Sequence, residues 1–418
     1  MSETPQLAVA FRTLGCKVNR VESETIAAEL LGGGARIVDE AQADVVVINT
    51  CTVTGEADAK ARKAVRHALR GAAEPFVVVT GCLAAIDAPA LEALGERVIV
   101  EADKSRVASR VAHARRVELT PVAPAVVRAG GEFRTRASLK IEDGCDNFCS
   151  YCIVPYARGV PRGEALSYIV AEAAALVEAS VCEIVLTGIN IGRYRDSATD
   201  ADLADLIIAV AATGVPRLRL SSIEPPDLTP RLLDTLARTP AVCRQLHVPL
   251  QSGSDVVLSA MGRTYTTREY AGFIETARGL LPGLTLTTDI IAGFPTETDA
   301  QHAETLAFVE SVGFSKLHVF RYSPRPRTPA AALEQVDPTV RSRRAEELRD
   351  LGGRLRGEFL AAHVGLPVEV LVESAEDSEA TGTTRDYVRA TLPGTGLARG
   401  DVVTVIVDGV RDGRLHAR

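Results

Sequence analysis

Residues 137–159 read ASLKIEDGCDNFCSYCIVPYARG: an alternating apolar run followed at once by three cysteines on a polar loop. The first six residues have the pattern of a buried strand. Cys145, Cys149 and Cys152 then follow at CxxxCxxC spacing, which lets three thiolates hold three corners of one cubane iron–sulfur cluster. The fourth iron is left without a protein ligand, open to a small molecule that chelates through amino and carboxylate groups. A structural zinc site wants four protein ligands. No further Cys or His lies between His113 and Cys182 to complete one.

This spacing, with Tyr151 just before the last cysteine, resembles the radical-AdoMet superfamily. The resemblance implies a 4Fe–4S cluster that passes one electron to S-adenosylmethionine. Methionine and a 5′-deoxyadenosyl radical result, and the radical abstracts hydrogen from an unactivated carbon. The hard chemistry then belongs to the cofactor, and the protein's part is positioning and exclusion.

Downstream, βα units continue. Candidate strands at 137–142, 183–189, 217–223, 245–250, 285–292 and 316–322 alternate with helices at 166–179, 203–212, 230–238, 267–281 and 297–312. Six strands and five helices predict an open, partial (β/α)6 barrel over 137–336, since a closed eightfold barrel needs about 250 residues. Upstream, residues 1–116 place strands at 7–14, 44–50, 75–80 and 97–100 and helices at 22–31, 56–70 and 104–115. That predicts an open parallel α/β sheet covered on both faces.

Cys16, Cys51 and Cys82 each follow one of those upstream strands, in AFRTLGC, VVVINTC and FVVVTGC. Carboxyl ends of parallel strands are where open α/β sheets place their ligand crevice. The three are therefore expected to converge as ligands of a second, auxiliary cluster. Any one of them alone reads as an ordinary buried cysteine. Cys182 and Cys243, without cysteine neighbours, are assigned to core packing, and His247, inside a strand, to a satisfied core histidine.

The remaining segments bound the molecule. A stretch rich in Pro and Gly at 117–136 reads as a linker. An arginine-rich helical connector follows the barrel at 337–365, and short alternating strands with Gly turns at 366–418 predict a small β-barrel. At 418 residues, 46% hydrophobic and 24% charged, the composition is that of a globular protein with two or three domains. The amino terminus has no basic-then-apolar leader and the longest apolar runs are strand-sized, so a cytoplasmic protein without membrane attachment is expected. Eight cysteines in such a chain read as metal or catalytic ligands rather than disulfides. A net charge of −7 excludes a uniformly basic coat, though local basic patches remain able to meet phosphates.

With both triads in view, the chain resembles the methylthiotransferase family over almost its whole length, including a C-terminal β-barrel of the TRAM type. The strings TLGCKVNRVES, LKIEDGCDNFCSYCIVPYARG and RLRLSSIEP are similar to the branch acting on N6-threonylcarbamoyladenosine at position 37 of tRNA. Gly15–Asn19, GCKVN, departs from the GCQMN-like string of the isopentenyladenosine branch and from the GCPKN-like string of the ribosomal-protein branch. The resemblance implies two 4Fe–4S clusters, on Cys145, Cys149 and Cys152 and on Cys16, Cys51 and Cys82. It implies two uses of AdoMet, as methyl donor to sulfur at the auxiliary cluster and as radical source. The radical removes hydrogen from C2 of the adenine and a methylthio group replaces it. Partners implied are tRNA carrying threonylcarbamoyladenosine and an electron donor such as flavodoxin or ferredoxin; the sulfur donor is not indicated. Action on isopentenyladenosine or on a ribosomal-protein side chain is the alternative within the enzyme class. A non-catalytic iron–sulfur RNA-binding protein is the alternative outside it.

Gly188 in LTGIN, Gln251 and Ser252 in HVPLQSGSD, and Gly293 in TDIIAGFPTET stand at strand ends suited to an AdoMet site, though such residues also serve as plain turns. Tyr156 and Arg158 are candidates to line a pocket for a flipped-out base. Three basic runs are candidates for RNA: Lys60, Arg62, Lys63, Arg66 and Arg70; Arg128, Arg134, Arg136 and Lys140; and Arg341, Arg343 and Arg344 with Arg349, Arg354 and Arg356. The last is the best phosphate contact. The terminal segment is net acidic, with Glu369, Glu373, Glu376, Asp377 and Glu379, so it is not expected to supply most of the RNA affinity.

Overall fold

The computed structural model describes residues 6–117, 135–376 and 378–418. Most of the expected linker, with Arg128 and Arg134, and Asp377 lie outside the described residues.

Five parallel strands open the chain: β1 (Ala8–Thr13), β2 (Arg36–Ile37), β3 (Val45–Thr50), β4 (Phe76–Gly81) and β5 (Val98–Val100), in the order β2-β1-β3-β4-β5. Helices α1 (Lys17–Gly32), α2 (Gly55–Leu69), α3 (Cys82–Ile86), α4 (Ala88–Glu92) and α5 (Val107–Arg115) cover it. The continuous VVVI run of β3 has its reason in this sandwich. Val46 and Ile48 pack with α2, α3 and α4 on one face, and Val45 and Val47 pack with α1 and α5 on the other. Two exposed residues make up β2, too few to leave a periodic signal, and it is absent from the sequence reading.

The barrel follows. Strand β6 (Arg136–Lys140) leads to the cysteine loop, which is bracketed by the short antiparallel pair β7 (Glu142–Asp143) and β8 (Arg162–Gly163) and contains α6 (Val154–Arg158). Then come α7 (Leu166–Glu178), β9 (Glu183–Thr187), α8 (Leu203–Ala211), β10 (Arg217–Leu220), α9 (Pro230–Arg238), β11 (Gln245–His247), α10 (Asp255–Ala260), α11 (Thr267–Leu280), β12 (Thr285–Ala292), α12 (Asp299–Val312) and β13 (Lys316–Arg321). The six strands form two parallel halves, β10-β9-β6 and β11-β12-β13. Isolated parallel bridges, Leu218 to Val242 and Ser222 to His247, join them into one open arc. Asp202, Thr266 and Thr298 begin α8, α11 and α12 with reciprocal capping boxes.

Helix α13 (Pro338–Ala361) lies along β13, with Gly352 so close that a Cβ there would sit 3.2 Å from Leu317 side-chain atoms. The terminal strands β14 (Pro367–Ala375), β15 (Glu379–Thr384), β16 (Arg389–Pro393), β17 (Val402–Arg411) and β18 (Arg414–Ala417) close a barrel in the order β14-β15-β16-β18-β17. Among the described residues no helix is long and apolar enough to cross a membrane.

Two acidic residues of the terminal barrel, Glu369 and Glu373, are docking groups, and Glu183 of β9 anchors the same junction. Glu183 is fully buried and takes Arg219 Nε at 2.8 Å and Arg217 Nη2 at 2.9 Å. Both buried arginines also reach the terminal barrel, Arg217 donating to the Thr383 carbonyl and Arg219 to those of Thr384 and Arg385. Glu373 answers from the other side with Arg136 at 2.8 Å and with Arg389, and Glu369 pairs with Arg385 at 3.5 Å. A buried pair broken on one side leaves an uncompensated charge. Glu183→Ala is therefore expected to cost about 3–5 kcal/mol in denaturant unfolding, with early proteolytic exposure of the terminal barrel. A loss below about 1 kcal/mol would show that the pair contributes little.

Candidate active site

The first sheet delivers three thiols to one edge. Cys16, Cys51 and Cys82 come three, one and one residues past the ends of β1, β3 and β4. Two glycines let these turns close on one another. Gly15, at φ +100°, is so near Cys51 that a Cβ would lie 2.6 Å from its Cβ, and a Cβ at Gly81, φ +96°, would collide with the Thr50 carbonyl. Asn19 ties the turns together, donating to the carbonyls of Leu14 at 2.8 Å and Thr50 at 2.9 Å, and Asn49 donates back to the Asn19 carbonyl at 2.8 Å. Burial pushes the Cys51 and Cys82 thiols up, and the neighbouring thiols of the triad push the same way.

The second triad sits on a loop held at both ends. The Cys145 N–H donates to the Gly159 carbonyl at 2.9 Å and the Ser150 N–H to that of Met261 at 2.9 Å. Burial drives the Cys152 thiol up to about 12, with Cys149 and Cys145 adding to it. Each triad also has one buried arginine donating to a sulfur. Arg158 Nε lies 3.2 Å from Cys82 Sγ, and Arg263 Nη1 lies 3.2 Å from Cys149 Sγ while its other nitrogen pairs with Glu224.

The donor set tests which metal these thiols suit. Each triad offers three free thiols, the ligand type that iron–sulfur clusters take. A structural zinc wants four protein ligands. The residues present therefore fit clusters with one open iron better than structural zinc ions.

A cavity of about 1240 Å³ joins the parts. Cys16, Cys51 and Cys82 line it from the first sheet, Gly188 from the end of β9, Arg341 from α13 and Tyr387 from the terminal barrel.

Comparison with known proteins matches this architecture. Residues 8–101 match the model described as "Uncharacterized protein family UPF0004", and residues 139–309 match the radical SAM superfamily. The threonylcarbamoyladenosine tRNA methylthiotransferase MtaB of Bacillus subtilis (strain 168) is 38% identical over 95% of this chain and 93% of its own length. The chain belongs to the tRNA methylthiotransferase family. It is a transferase of the radical-AdoMet class, with AdoMet and two 4Fe–4S clusters as cofactors. A tRNA-2-methylthio-N(6)-dimethylallyladenosine synthase of Parafrankia sp. (strain EAN1pec) is 37% identical over 91% of this chain and 80% of its own. Among solved structures, the radical S-adenosylmethionine methyltransferase TsrM of Kitasatospora setae shares the fold, at TM-score 0.57 and 14% identity over 78% of this chain and 77% of its own.

The other residues singled out from the sequence divide on this methylthiotransferase. Gly188 lines the cavity, and a Cβ there would lie 2.8 Å from Glu142 Oε2. Gln251, Ser252 and Gly293 do not line it. Ser252 Oγ turns to Thr305 Oγ1 at 3.2 Å, and the Gly293 N–H donates to Glu297 Oε2 at 2.8 Å. Gln251, at φ +71°, spends its backbone on Asp289 and Ile291. Arg158 is not free to meet a base. Besides Cys82 it donates to Glu22 and Asp143, both at 2.8 Å, and to Asn19 at 2.6 Å. Tyr156 remains exposed, edge-on to Phe148 at 5.7 Å. Arg344 is buried against Glu297 and Asp299, both at 2.9 Å, so it stitches α13 to α12 rather than facing RNA; Arg343 pairs with Glu347 and Asp299 at the surface. Cys243 is buried as expected, whereas Cys182 is half-buried and donates to the Gly400 carbonyl at 3.3 Å.

His247 is a correction. It is no core histidine but lies on the cavity wall with Asp289 and His318. The usable signal was period-two alternation, which puts residues 245 and 247, 287 and 289, and 316 and 318 on one face of adjacent strands.

Glu142 is fully buried, with Oε2 accepting from the N–H groups of Ile189 at 3.0 Å and Asn190 at 2.8 Å, and Oε1 unpartnered. Burial pushes its carboxyl up to about 7 against those lowering bonds. A carboxyl raised on folding binds more protons folded than unfolded, so stability falls as pH rises from about 4.5 to about 7. Glu142→Gln keeps one oxygen to accept both N–H groups, puts an amide NH2 in place of the unpartnered oxygen, and never ionises. It is expected to stabilise the protein by about 2–3 kcal/mol at pH 8 and hardly at all at pH 4. Thermal unfolding at both pH values measures this, and an equal effect at each would remove the ionisation argument.

Proposed function

We propose that Cys145, Cys149 and Cys152 hold the AdoMet-cleaving cluster, that Cys16, Cys51 and Cys82 hold the auxiliary cluster, and that the enzyme adds a methylthio group to C2 of N6-threonylcarbamoyladenosine at position 37 of tRNA. The observation that carries this is the single cavity onto which the auxiliary triad and the barrel strand ends both open. The clusters with AdoMet supply the radical and the methylated sulfur. The chain's own residues do the rest. Arg158 holds the two sulfur loops together, Gly188 leaves room beside the radical loop for the AdoMet backbone contacts, and Gln251 offers its side-chain amide. Tyr156, exposed beside that loop, is the aromatic surface for stacking the flipped base.

For RNA phosphates the available cations are Arg349 and Arg356 on the cavity wall and Arg343 at the surface, since Arg344 is buried and Arg341 spends both terminal nitrogens on the Tyr322 and Val336 carbonyls. The functional units are taken as 1–116, 137–336 and 366–418, joined by a linker at 117–136 and a connector at 337–365. The enzyme works in the cytoplasm with an electron donor of the flavodoxin or ferredoxin kind. The isopentenyladenosine alternative is the weaker one, because one wall of the cavity carries His247, Asp289, His318 and Lys316, polar and charged groups that an isopentenyl chain cannot use.

Anaerobic reconstitution should load about eight irons per chain, and replacing Cys16, Cys51 and Cys82 by Ala should leave about four, with AdoMet cleavage retained and methylthio transfer abolished. A full iron load in that triple variant would end the auxiliary assignment. Nucleoside mass analysis of tRNA from cells lacking the protein should show threonylcarbamoyladenosine without its methylthio group; its undiminished presence would defeat the substrate choice.

A further inference from the structure

Three neighbouring strands place an ordered polar chain on the cavity wall that no assignment above uses. On β11 and β12, Gln245 Nε2 donates to Thr287 Oγ1 at 3.3 Å, and Thr287 Oγ1 lies 2.9 Å from His247 Nδ1. Nδ1 accepts the Thr287 hydroxyl, because the neighbour of the other ring nitrogen is a carboxylate oxygen that can only accept, so His247 carries its proton on Nε2. That nitrogen is 3.2 Å from Asp289 Oδ1, and the same oxygen is 3.2 Å from His318 Nδ1. The two rings stack with centroids 5.3 Å apart. Burial pushes the Asp289 carboxyl up, but the two imidazoles outweigh it and hold it at about 2, so it is a constant acceptor for both. His318 is thereby fixed with Nδ1 toward Asp289 and Nε2 toward the cavity, its side chain 41% exposed.

Two residues along β13, on the same face, Lys316 also lines the cavity. It makes no ion pair among the described residues. The acidic groups that share the cavity are taken elsewhere: Glu56 by Lys60, Asp386 by His363 and Asp289 by the two imidazoles. An oriented imidazole beside an unpaired ammonium suits a substituent that carries hydrogen-bonding groups and a negative charge.

We infer that this wall is the subsite for the substituent on N6 of the substrate base, with His318 hydrogen-bonding its urea-like linkage and Lys316 facing its carboxylate. The inference rests on the proposed threonylcarbamoyladenosine substrate and gives the residues that select it. An isopentenyl chain has neither group. A site built to hydrogen-bond a substituent rejects the analogue lacking it far more strongly than an apolar pocket rejects a polar isostere.

The test uses the full, reconstituted enzyme with tRNAs carrying either nucleoside. His318→Phe, which keeps the ring stack, and Lys316→Met should each lower kcat/KM on the threonylcarbamoyladenosine tRNA by about tenfold to a hundredfold, chiefly through KM. More 5′-deoxyadenosine should be released per methylthio group transferred. His318→Gln should restore part of the loss, and all variants should keep the wild-type iron load. The subsite is overturned if kcat/KM stays within about twofold of wild type, or if His318→Gln and His318→Phe are equally impaired through lost iron. It is also overturned if one non-iron divalent cation per chain is found and disappears in Asp289→Asn, since the three ligand atoms lie within 4.8 Å of one another. Wild-type enzyme that modifies only the isopentenyladenosine tRNA would instead refute the substrate reading on which the subsite stands.

Discussion

Arg158 is a guanidinium buried between two sulfur sites, and much of the active-site geometry depends on its being satisfied there. It reaches Cys82 just past β4, Asn19 and Glu22 on α1, and Asp143 two residues before Cys145. Taking a cation out of water costs several kcal/mol unless charges and acceptors surround it. Glu22 and Asp143 supply the charges, and they come from opposite sides of the junction between the first sheet and the barrel. The same requirement that keeps Arg158 from touching a substrate therefore fixes the distance between the auxiliary triad and the radical loop. Lys140, at 2.9 Å from Asp143, and Lys104, at 3.9 Å from Glu22, balance the surplus negative charge.

Much of this was legible in the amino-acid order because local chemistry forced it. Continuous apolar runs such as VVVI announce strands buried on both faces, and a polar loop of three cysteines has few other uses. The placement of Cys16, Cys51 and Cys82 followed from topology alone, since each comes just after a parallel strand. Long-range pairings left no such trace. Nothing about RRAEE distinguishes Arg344, sealed against Glu297, from Arg343 at the surface. Arg158 looked available because its partners lie up to 139 residues away. For His247, alternation groups it with Asp289 and His318 on one face, and only the fold shows that this face meets the cavity rather than the core.

The acidic terminal barrel is resolved by the same logic. Counted as a sequence, it seemed ill-suited to RNA. Built into the fold, Glu369 and Glu373 meet arginines from the central barrel and its own strands, so their charge is spent on docking rather than offered to solvent. Partly exposed charge pairs like these add little net stability, while a displaced barrel would leave the arginines without their partners. They are thus better understood as setting where the small barrel sits than as holding it there.

That position matters because the terminal barrel contributes a wall of the cavity. Tyr387 stands at φ +63° on the β15–β16 turn, with Arg219, Arg136 and Lys17 over its ring at 4.8, 5.4 and 5.6 Å. Burial alone would raise its phenol, yet the three cations bring it below the ordinary value. Lys17 is the residue next to Cys16, so the aromatic ring of the terminal barrel packs against the cation that adjoins one thiol of the first sheet's triad. A shift of the terminal barrel would drag on the Cys16 turn directly, and RNA bound across it would feel the auxiliary site through one side chain. The terminal barrel thus closes one side of the cavity that Cys16, Cys51 and Cys82 line from the first sheet.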